Sequence, residues 1–577
     1  MFTRKSRFIA LLVLVVMLVQ MLASCTVEVG QRPEAQPLDR DPYASLDKYE
    51  YQIGNTSLVF NYSPEEEAEL LKNIKRAKRL LESGSSCNSF LAVYTTIDEQ
   101  FSRLTSQAQI AYIEYCMMAK NQEVIDNYLH INELRTDIVQ DLIQMYRTIY
   151  DSPYRDAFYE GWSEEEIRYA LDQADLYTDE FKALNNRADE LLVAYRALDP
   201  SNSGHQAQIR ELYIEFANIQ NDIAVQLGYS NYMEYAYASV YGRDYTYEEV
   251  SAMTDMVFSE VLSYAGMAIE KFKSDGNYLF ENYPKVYSEF SSINSGWTIR
   301  SSKGKKILNN FFTALGEEPN GYWTDLMNGG NYFIASNSNA YAGAFSTFLY
   351  DVNEPMVYFG PGYQSLSTTV HEFGHYMAFI RGRDGADNYD LAETHSQGME
   401  MLLMQFLYQD QTKEAVDYHI TYEILNGMIT LLNSFAINAF ETYVYTHLDT
   451  ITASQLDAIY QEILNSIPYY ADLNSLVGGA LNNYWYYVTV ESPGYYISYG
   501  ISLIASLEIL AIASEDFDAA VEIYMALGEA DTPMFCDELV EAGLYTPFDA
   551  NTYAILGDFL SEILVPIDID VSDVPLS

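Results

Sequence analysis

The stretch TTVHEFGHYMAFI, Thr368 to Ile380, holds two of the chain's seven histidines four residues apart, with a glutamate directly after the first. Such side chains can act together only on a helix, where positions i and i+4 share a face. The pattern predicts a helix from near Ser367 to Gly382, with His371 and His375 one turn apart and able to reach one metal ion. Glu372 is offset by one residue, which puts it beside such an ion and not on it, where a general base for a water must stand. A catalytic centre of this kind takes a third protein ligand. After a polar loop, GRDGADNYD, a second predicted helix, LAETHSQGMEMLLMQFL, presents Glu393, Ser396 and Glu400 as one polar stripe among apolar positions. Acidic groups on a helix that reads as buried need partners. Glu393 as third ligand and Glu400 as acceptor for a ligand-histidine N–H meet that need. His395 points to another side, as structural filler or as a substrate contact.

The rest of the chain reads as helix. Ser63-Pro64-Glu65-Glu66 is a capping box with proline at the first helical position, followed by Leu70, Leu71, Ile74, Ala77, Leu80 and Leu81 at helical spacing. Ser163 with Glu166 and Thr246 with Glu249 repeat the starting signal. Strand signals concentrate in residues 321–360, where Gly, Asn and Ser alternate with short aromatic and β-branched runs ending in PMVYFG. This predicts a small sheet with a glycine-rich loop just before the histidines.

Charge and cysteines narrow the function classes. Lys and Arg number 32 against 82 Asp and Glu, a net −50, so nucleic acid is excluded as a partner and any long-range preference is for basic peptides. The 52 tyrosines read mostly as packed residues with satisfied hydroxyls, some of them fit to line a groove. Cys87, Cys116 and Cys536, without C-x-x-C spacing, allow one bridge at most. The remaining cysteine closes an N-terminal signal: Arg4, Lys5 and Arg7 precede the apolar FIALLVLVVMLVQMLA, and Leu22-Ala23-Ser24-Cys25 resembles a bacterial lipobox. The expected organisation is a signal peptide over 1–24, a tether over 25–45 lipidated at Cys25, an N-terminal helical region over 46–190, a catalytic region over 191–565 and a tail over 566–577. Membrane contact would be through that lipid, on the extracytoplasmic face.

HEFGH followed by ETHSQGME resembles the H-E-x-G-H and E-x-x-S-x-x-x-E pair of the thimet oligopeptidase and oligoendopeptidase F family of zinc metallopeptidases. The stretches AVQLGYSNYMEYAYASVYGRDYTYEEV, AYAGAFSTFLYDVNEPMVYFG and ALGEADTPMFCDELVEAGLYTPF are similar as well, so the resemblance spans roughly residues 190 to 550. It implies a mostly α fold, a multihelical two-lobed body around a deep substrate channel, with a small β-sheet next to the zinc helix. It also implies one zinc ion held by His371, His375 and Glu393, and hydrolysis of short unfolded peptides with Glu372 as base. EPMVYFG would be the edge against which a peptide lies extended. In SPGYYISYGISLIASLEIL, Tyr496 and Tyr499 lie side by side on a helix, and by resemblance they hydrogen-bond the scissile carbonyl and the substrate backbone. Many relatives carry a histidine shortly before these tyrosines; here none lies between His447 and Tyr499, which leaves Tyr495 as a candidate second donor.

Other zinc-peptidase patterns fit less well. A metzincin has Gly and His where Ala378 and Arg381 stand, and a thermolysin-like chain has Asp where Gln397 stands. The angiotensin-converting-enzyme group, with its own late Y-x-x-Y, is the nearer alternative. From another class, a peptide-binding lipoprotein without turnover would keep the pocket but would have no need for Glu372.

Overall fold

The computed structural model describes residues 52–53, 56–57 and 60–566, except 85, 119–120, 161–167, 169–170, 172–178, 197, 336–339, 342, 350–352, 383–387 and 530–533. The signal peptide, Cys25, the tether, the capping pair at Ser163 and Glu166, and tail residues 567–577 lie outside the described residues. The chain is mostly helical, with one three-stranded sheet, and divides into two compact units. The described residues up to 189 and within 322–363 and 379–382 form one; those within 190–321, 364–378 and 383–566 form the other.

In the first unit, α1 (Pro64–Glu82), α2 (Cys87–Met117) and α3 (Gln122–Tyr150) pack together. The predicted capping box starts α1: Ser63 accepts from the Glu66 N–H, and Glu66 reaches back to the Ser63 N–H. The apolar stripe of Leu70, Ile74 and Ala77 then meets Phe90, Tyr94, Ile97 and Ile138 in a dry core. Tyr94 and Tyr146 satisfy each other there, their hydroxyls 2.7 Å apart.

The sheet belongs to this unit, although it directly precedes the histidine helix in sequence. Gln52–Ile53 (β1) and Thr56–Ser57 (β2) form a separate two-residue ladder, and the sheet proper is β3 (Tyr332–Ile334), β4 (Ala344–Leu349) and β5 (Glu354–Phe359). Its strand order is β3-β5-β4, with β3 parallel and β4 antiparallel to β5. This corrects the expectation that EPMVYFG is an open edge: β5 is the central strand, paired with β4 along Glu354–Phe359 and with β3 on its other side over Val357–Phe359. The run of buried residues from Pro355 to Phe359 is what a strand covered on both faces requires. Phe345 stacks on Tyr358 at 4.9 Å and meets Tyr112 of α2, so the sheet shares its core with Ile110, Ile113 and Cys116.

The second unit is all helix around one buried rod. α4 (Ser203–Gln226), α5 (Leu366–Arg381), α6 (Tyr389–Phe406), α7 (Lys413–His447), α8 (Ile497–Glu515), α9 (Phe517–Ala526) and α10 (Ala550–Ile563) are its main elements. α8 contacts α6, α7, α9 and α10. Among the described residues it is the one helix long and apolar enough to cross a membrane, and it is 83% buried as the core helix of this unit. The capping box at Thr246 and Glu249 forms as expected. Cys87, Cys116 and Cys536 form no disulfide.

Candidate metal centre

α5 runs from Leu366 and stops at Gly382, whose φ of +71° is the left-handed conformation that ends helices. α6 starts at Asn388, whose side chain accepts from the Leu391 N–H. The two helices cross with almost no space between their backbones, at Gly374 of the HEFGH motif. A Cβ there would lie 2.6 Å from the His395 carbonyl oxygen and 2.8 Å from the Ser396 Cα. The crossing brings the second helix's carboxylates to the first helix's imidazoles. Its signal in the sequence is the glycine within a helical pattern, where glycine otherwise costs about 1 kcal/mol.

His371, His375 and Glu393 converge, with one donor atom from each lying within 4.8 Å of the others. Glu393 Oε2 is 3.8 Å from His371 Nε2 and 4.0 Å from His375 Nε2. Behind them, Glu400 Oε1 accepts from His371 Nδ1 at 2.8 Å and also holds the Ser367 hydroxyl through Oε2. That contact fixes the ring so that Nε2 faces the Glu393 carboxylate. Two imidazole nitrogens, one carboxylate oxygen and an outer carboxylate on a ligand ring are a donor set that can hold a metal ion. Glu372 is buried on the same helix and stands outside the ligand group.

Electrostatics of the site follow from its burial and its three carboxylates, Glu372, Glu393 and Glu400. Burial pulls His371 down, but the hydrogen bond and charge of Glu400, with Glu372 and Glu393 behind, push it up to about 10. His375 is driven well below its ordinary range by burial and by the charge of His371. Burial raises Glu393, against the pull of His371 and of its hydrogen bonds from Tyr495 and Ser396.

The late tyrosines sit at the start of α8. Tyr499 is half-buried, its ring 5.4 Å from that of Tyr495 and 5.5 Å from that of Tyr496. The Tyr496 hydroxyl donates to the Tyr484 oxygen at 3.0 Å and accepts from Asn433 Nδ2 at 3.2 Å. Tyr495 differs from its reading as a second oxyanion donor: its hydroxyl donates to Glu393 Oε1 at 2.6 Å. A phenol has one proton, and this one is committed to the carboxylate. His395 is 1% exposed beneath the edge of Tyr524, which makes it a core residue and not a substrate contact.

Two residues that the motifs did not flag hold the turn before α8. Arg243, fully buried between the rings of Tyr237 and Tyr241, donates to the Gly494 carbonyl at 2.9 Å and to Ser498 Oγ at 2.8 Å. Glu441 accepts from the Gly494 N–H at 3.0 Å. Their signal was faint, a lone arginine and a lone glutamate in aromatic-rich segments far apart in sequence.

No protein-family model matches the chain, and a search of curated proteins found no match either. Solved structures do match its fold. A PZ peptidase A solved with an inhibitor superposes with a TM-score of 0.68 at 16% identity, over 87% of this chain and 98% of that one. A protein described as an oligoendopeptidase F gives 0.69 at 17% identity, over 88% and 98%. One so described from Bacillus anthracis str. Ames gives 0.66 at 16% identity, over 90% and 98%. The fold is the helical one of these peptidase structures, and this chain carries within it a group of two histidines and a glutamate able to hold a metal.

Proposed function

We propose that the chain is a zinc-dependent oligoendopeptidase that hydrolyses short unfolded peptides. The observation that carries the reading is the convergence of His371, His375 and Glu393, with Glu400 behind His371 and buried Glu372 left outside the ligand group. Nitrogen and carboxylate donors in this number suit a zinc site with one position open. Zinc there would act as a Lewis acid on a peptide carbonyl and bring the pKa of a water toward 7. Glu372 takes the proton of the attacking water and delivers it to the leaving amine. Tyr499 donates its O–H to the oxygen on which negative charge develops, and being neutral at pH 7 it does so without adding charge to the site. Glu400 keeps His371 in the tautomer that presents Nε2. The likeness in fold to structures described as oligoendopeptidases supports the substrate class.

The test compares zinc content and cleavage of a short internally quenched peptide. Glu372→Gln should keep stoichiometric zinc and lose at least about 10³-fold in turnover, because the base acts in the transition state. Glu393→Ala should lose zinc. A zinc-loaded wild-type chain that binds the peptide without cutting it would be a peptide-binding protein, and retained zinc in Glu393→Ala would overturn the ligand set.

We further propose that the chain is held at the extracytoplasmic membrane surface by a lipid on Cys25, on the basis of Leu22-Ala23-Ser24-Cys25 after a basic and then apolar run. Cys25→Ser should leave catalysis unchanged and either release the chain from the membrane fraction or stall it unprocessed. A processed variant that still partitions with membranes would refute the anchor.

A further inference from the structure

We infer that Tyr495 is a positioning residue for the metal, holding Glu393 so that one chosen oxygen faces the two imidazoles. The inference deepens the zinc reading and rests on it. Glu393 offers two oxygens, and a carboxylate left alone can rotate or chelate with both. Here the two are told apart: Oε1 receives the Tyr495 hydroxyl at 2.6 Å, while Oε2, touched by Ser396 Oγ at 3.2 Å, faces His371 and His375. A hydroxyl donating to a carboxylate is among the stronger hydrogen bonds, and this one is buried on both sides.

Tyr495 is itself held from every direction. Its ring lies 5.6 Å from Tyr241 and meets Tyr389, on the first turn of the helix that carries Glu393, edge-on at 5.6 Å. Its backbone belongs to a turn on which several buried groups converge. The Tyr241 hydroxyl donates to the Pro493 carbonyl at 2.8 Å, Arg243 to the Gly494 carbonyl, and the Gly494 N–H to Glu441. Gly494 has φ +78°, with Ala236 Cβ 3.2 Å from where a side chain would begin, so the turn is fixed in a conformation that only glycine takes easily. Arg243 then reaches on to Ser498, one residue before Tyr499. One rigid segment thereby carries both the group that orients a metal ligand and the tyrosine placed to meet the oxyanion. A displacement of the turn would move both together.

The experiment measures zinc affinity by chelator competition, together with melting temperature with and without zinc, for Tyr495→Phe. The ring stays and only the hydroxyl goes. The dissociation constant for zinc should rise about 10- to 100-fold, the usual effect of losing an outer partner of a metal ligand. The visible absorption of the cobalt(II)-substituted protein should change as Glu393 is freed to turn. Tyr553→Phe is the control: its buried hydroxyl donates to the Pro547 carbonyl at 2.7 Å, and its loss should lower the melting temperature and leave zinc affinity alone. Zinc affinity within twofold of wild type and an unchanged cobalt spectrum in Tyr495→Phe would overturn the inference. Glu393→Ala separates the two levels. If it binds zinc as wild type does, the ligand assignment fails; if it loses zinc while Tyr495→Phe keeps it, only the role of Tyr495 fails.

Discussion

Gly374→Ala sets two effects of known sign against each other. In an exposed helix the change would stabilise by about 1 kcal/mol, because alanine loses less backbone entropy than glycine on folding. Here the new methyl would stand 2.6 Å from the His395 oxygen and 2.8 Å from the Ser396 Cα, where ordinary contact begins at 3.4 Å. Both neighbours are backbone of α6, so no side chain can swing aside, and the helices must part by about 0.6 to 0.8 Å at the crossing. Overpacking of this sort costs about 1 to 3 kcal/mol, so the net loss of stability should be modest. The loss of metal should not be modest. Ligand positions tolerate about 0.2 Å, and the parting moves Glu393 against His371 and His375 by several times that. Zinc affinity should therefore fall by about 10²-fold or more while the apoprotein melts within several degrees of wild type. Chelator-competition titration beside thermal unfolding of the metal-free protein reads both quantities. A variant that melts higher and binds zinc as tightly as wild type would refute the close crossing and the account of the glycine in HEFGH.

Tyr499→Phe should lose roughly 10²- to 10³-fold in turnover at unchanged zinc content, since one oxyanion donor is worth about 3 to 4 kcal/mol. Tyr496→Phe breaks the contact with Tyr484, leaves Asn433 without its acceptor, and should show its effect as a loss of about 1 to 3 kcal/mol in stability; near wild-type cleavage by both variants would remove the tyrosines from the chemistry. Glu441 predicts a pH dependence: burial, opposed by the Gly494 N–H and Arg243, pushes it up to about 8, far above its value in an unfolded chain. The folded state then holds the proton more tightly, so this stabilisation is fully present below about pH 4.5 and is lost as pH rises toward 8. Glu441→Gln, which keeps an oxygen for the Gly494 N–H, should flatten that slope and unfold at higher denaturant than wild type at about pH 9 in metal-free protein; equal slopes would assign the titration elsewhere.

Features legible in the sequence are those written within one helix or one turn. The capping boxes at Ser63 and Thr246, the helix under HEFGH and its stop at Gly382 are local statements, and the structure has each where the residue pattern placed it. The polar stripe of Glu393, Ser396 and Glu400 was legible for a different reason: a buried helix cannot carry two carboxylates without partners, so their need for partners could be argued before any was in view, and Glu400 has its own in His371 Nδ1. The sheet was legible as strands but not as an arrangement. EPMVYFG, read as an edge, lies at the centre, because strand order depends on which distant segments arrive beside it, and here β3 and β4 come to either side. The same limit hid the role of Tyr495. Its spacing from Tyr499 put it on the right turn, but nothing within that turn says that a carboxylate 102 residues earlier will take its proton.

That long-range bond connects the motifs to one another. Glu393 on α6 and Tyr499 on α8 belong to separate helices, and the proposed function would need the one, as ligand, and the other, as oxyanion donor, in fixed relation to within a fraction of an ångström. Packing alone holds two apolar helices loosely along their axes, since leucine and isoleucine surfaces offer several registers of similar energy. A buried charge-assisted hydrogen bond does not slide in that way, because moving it by one residue leaves both groups desolvated and unpaired. The Tyr495 hydroxyl on Glu393, Ser502 Oγ on Gln397 Oε1 at 3.1 Å, and Gln397 Nε2 on the Tyr499 carbonyl at 3.5 Å lie along the α6–α8 seam and select one register among those. Gly398 lets α6 close on α8 and α9, with Ile509 of α8 and Tyr524 of α9 at 3.1 Å from where its side chain would begin. The buried polar contacts along the α6–α8 seam are, on the proposed function, what would set the distance between a metal on Glu393 and the Tyr499 hydroxyl.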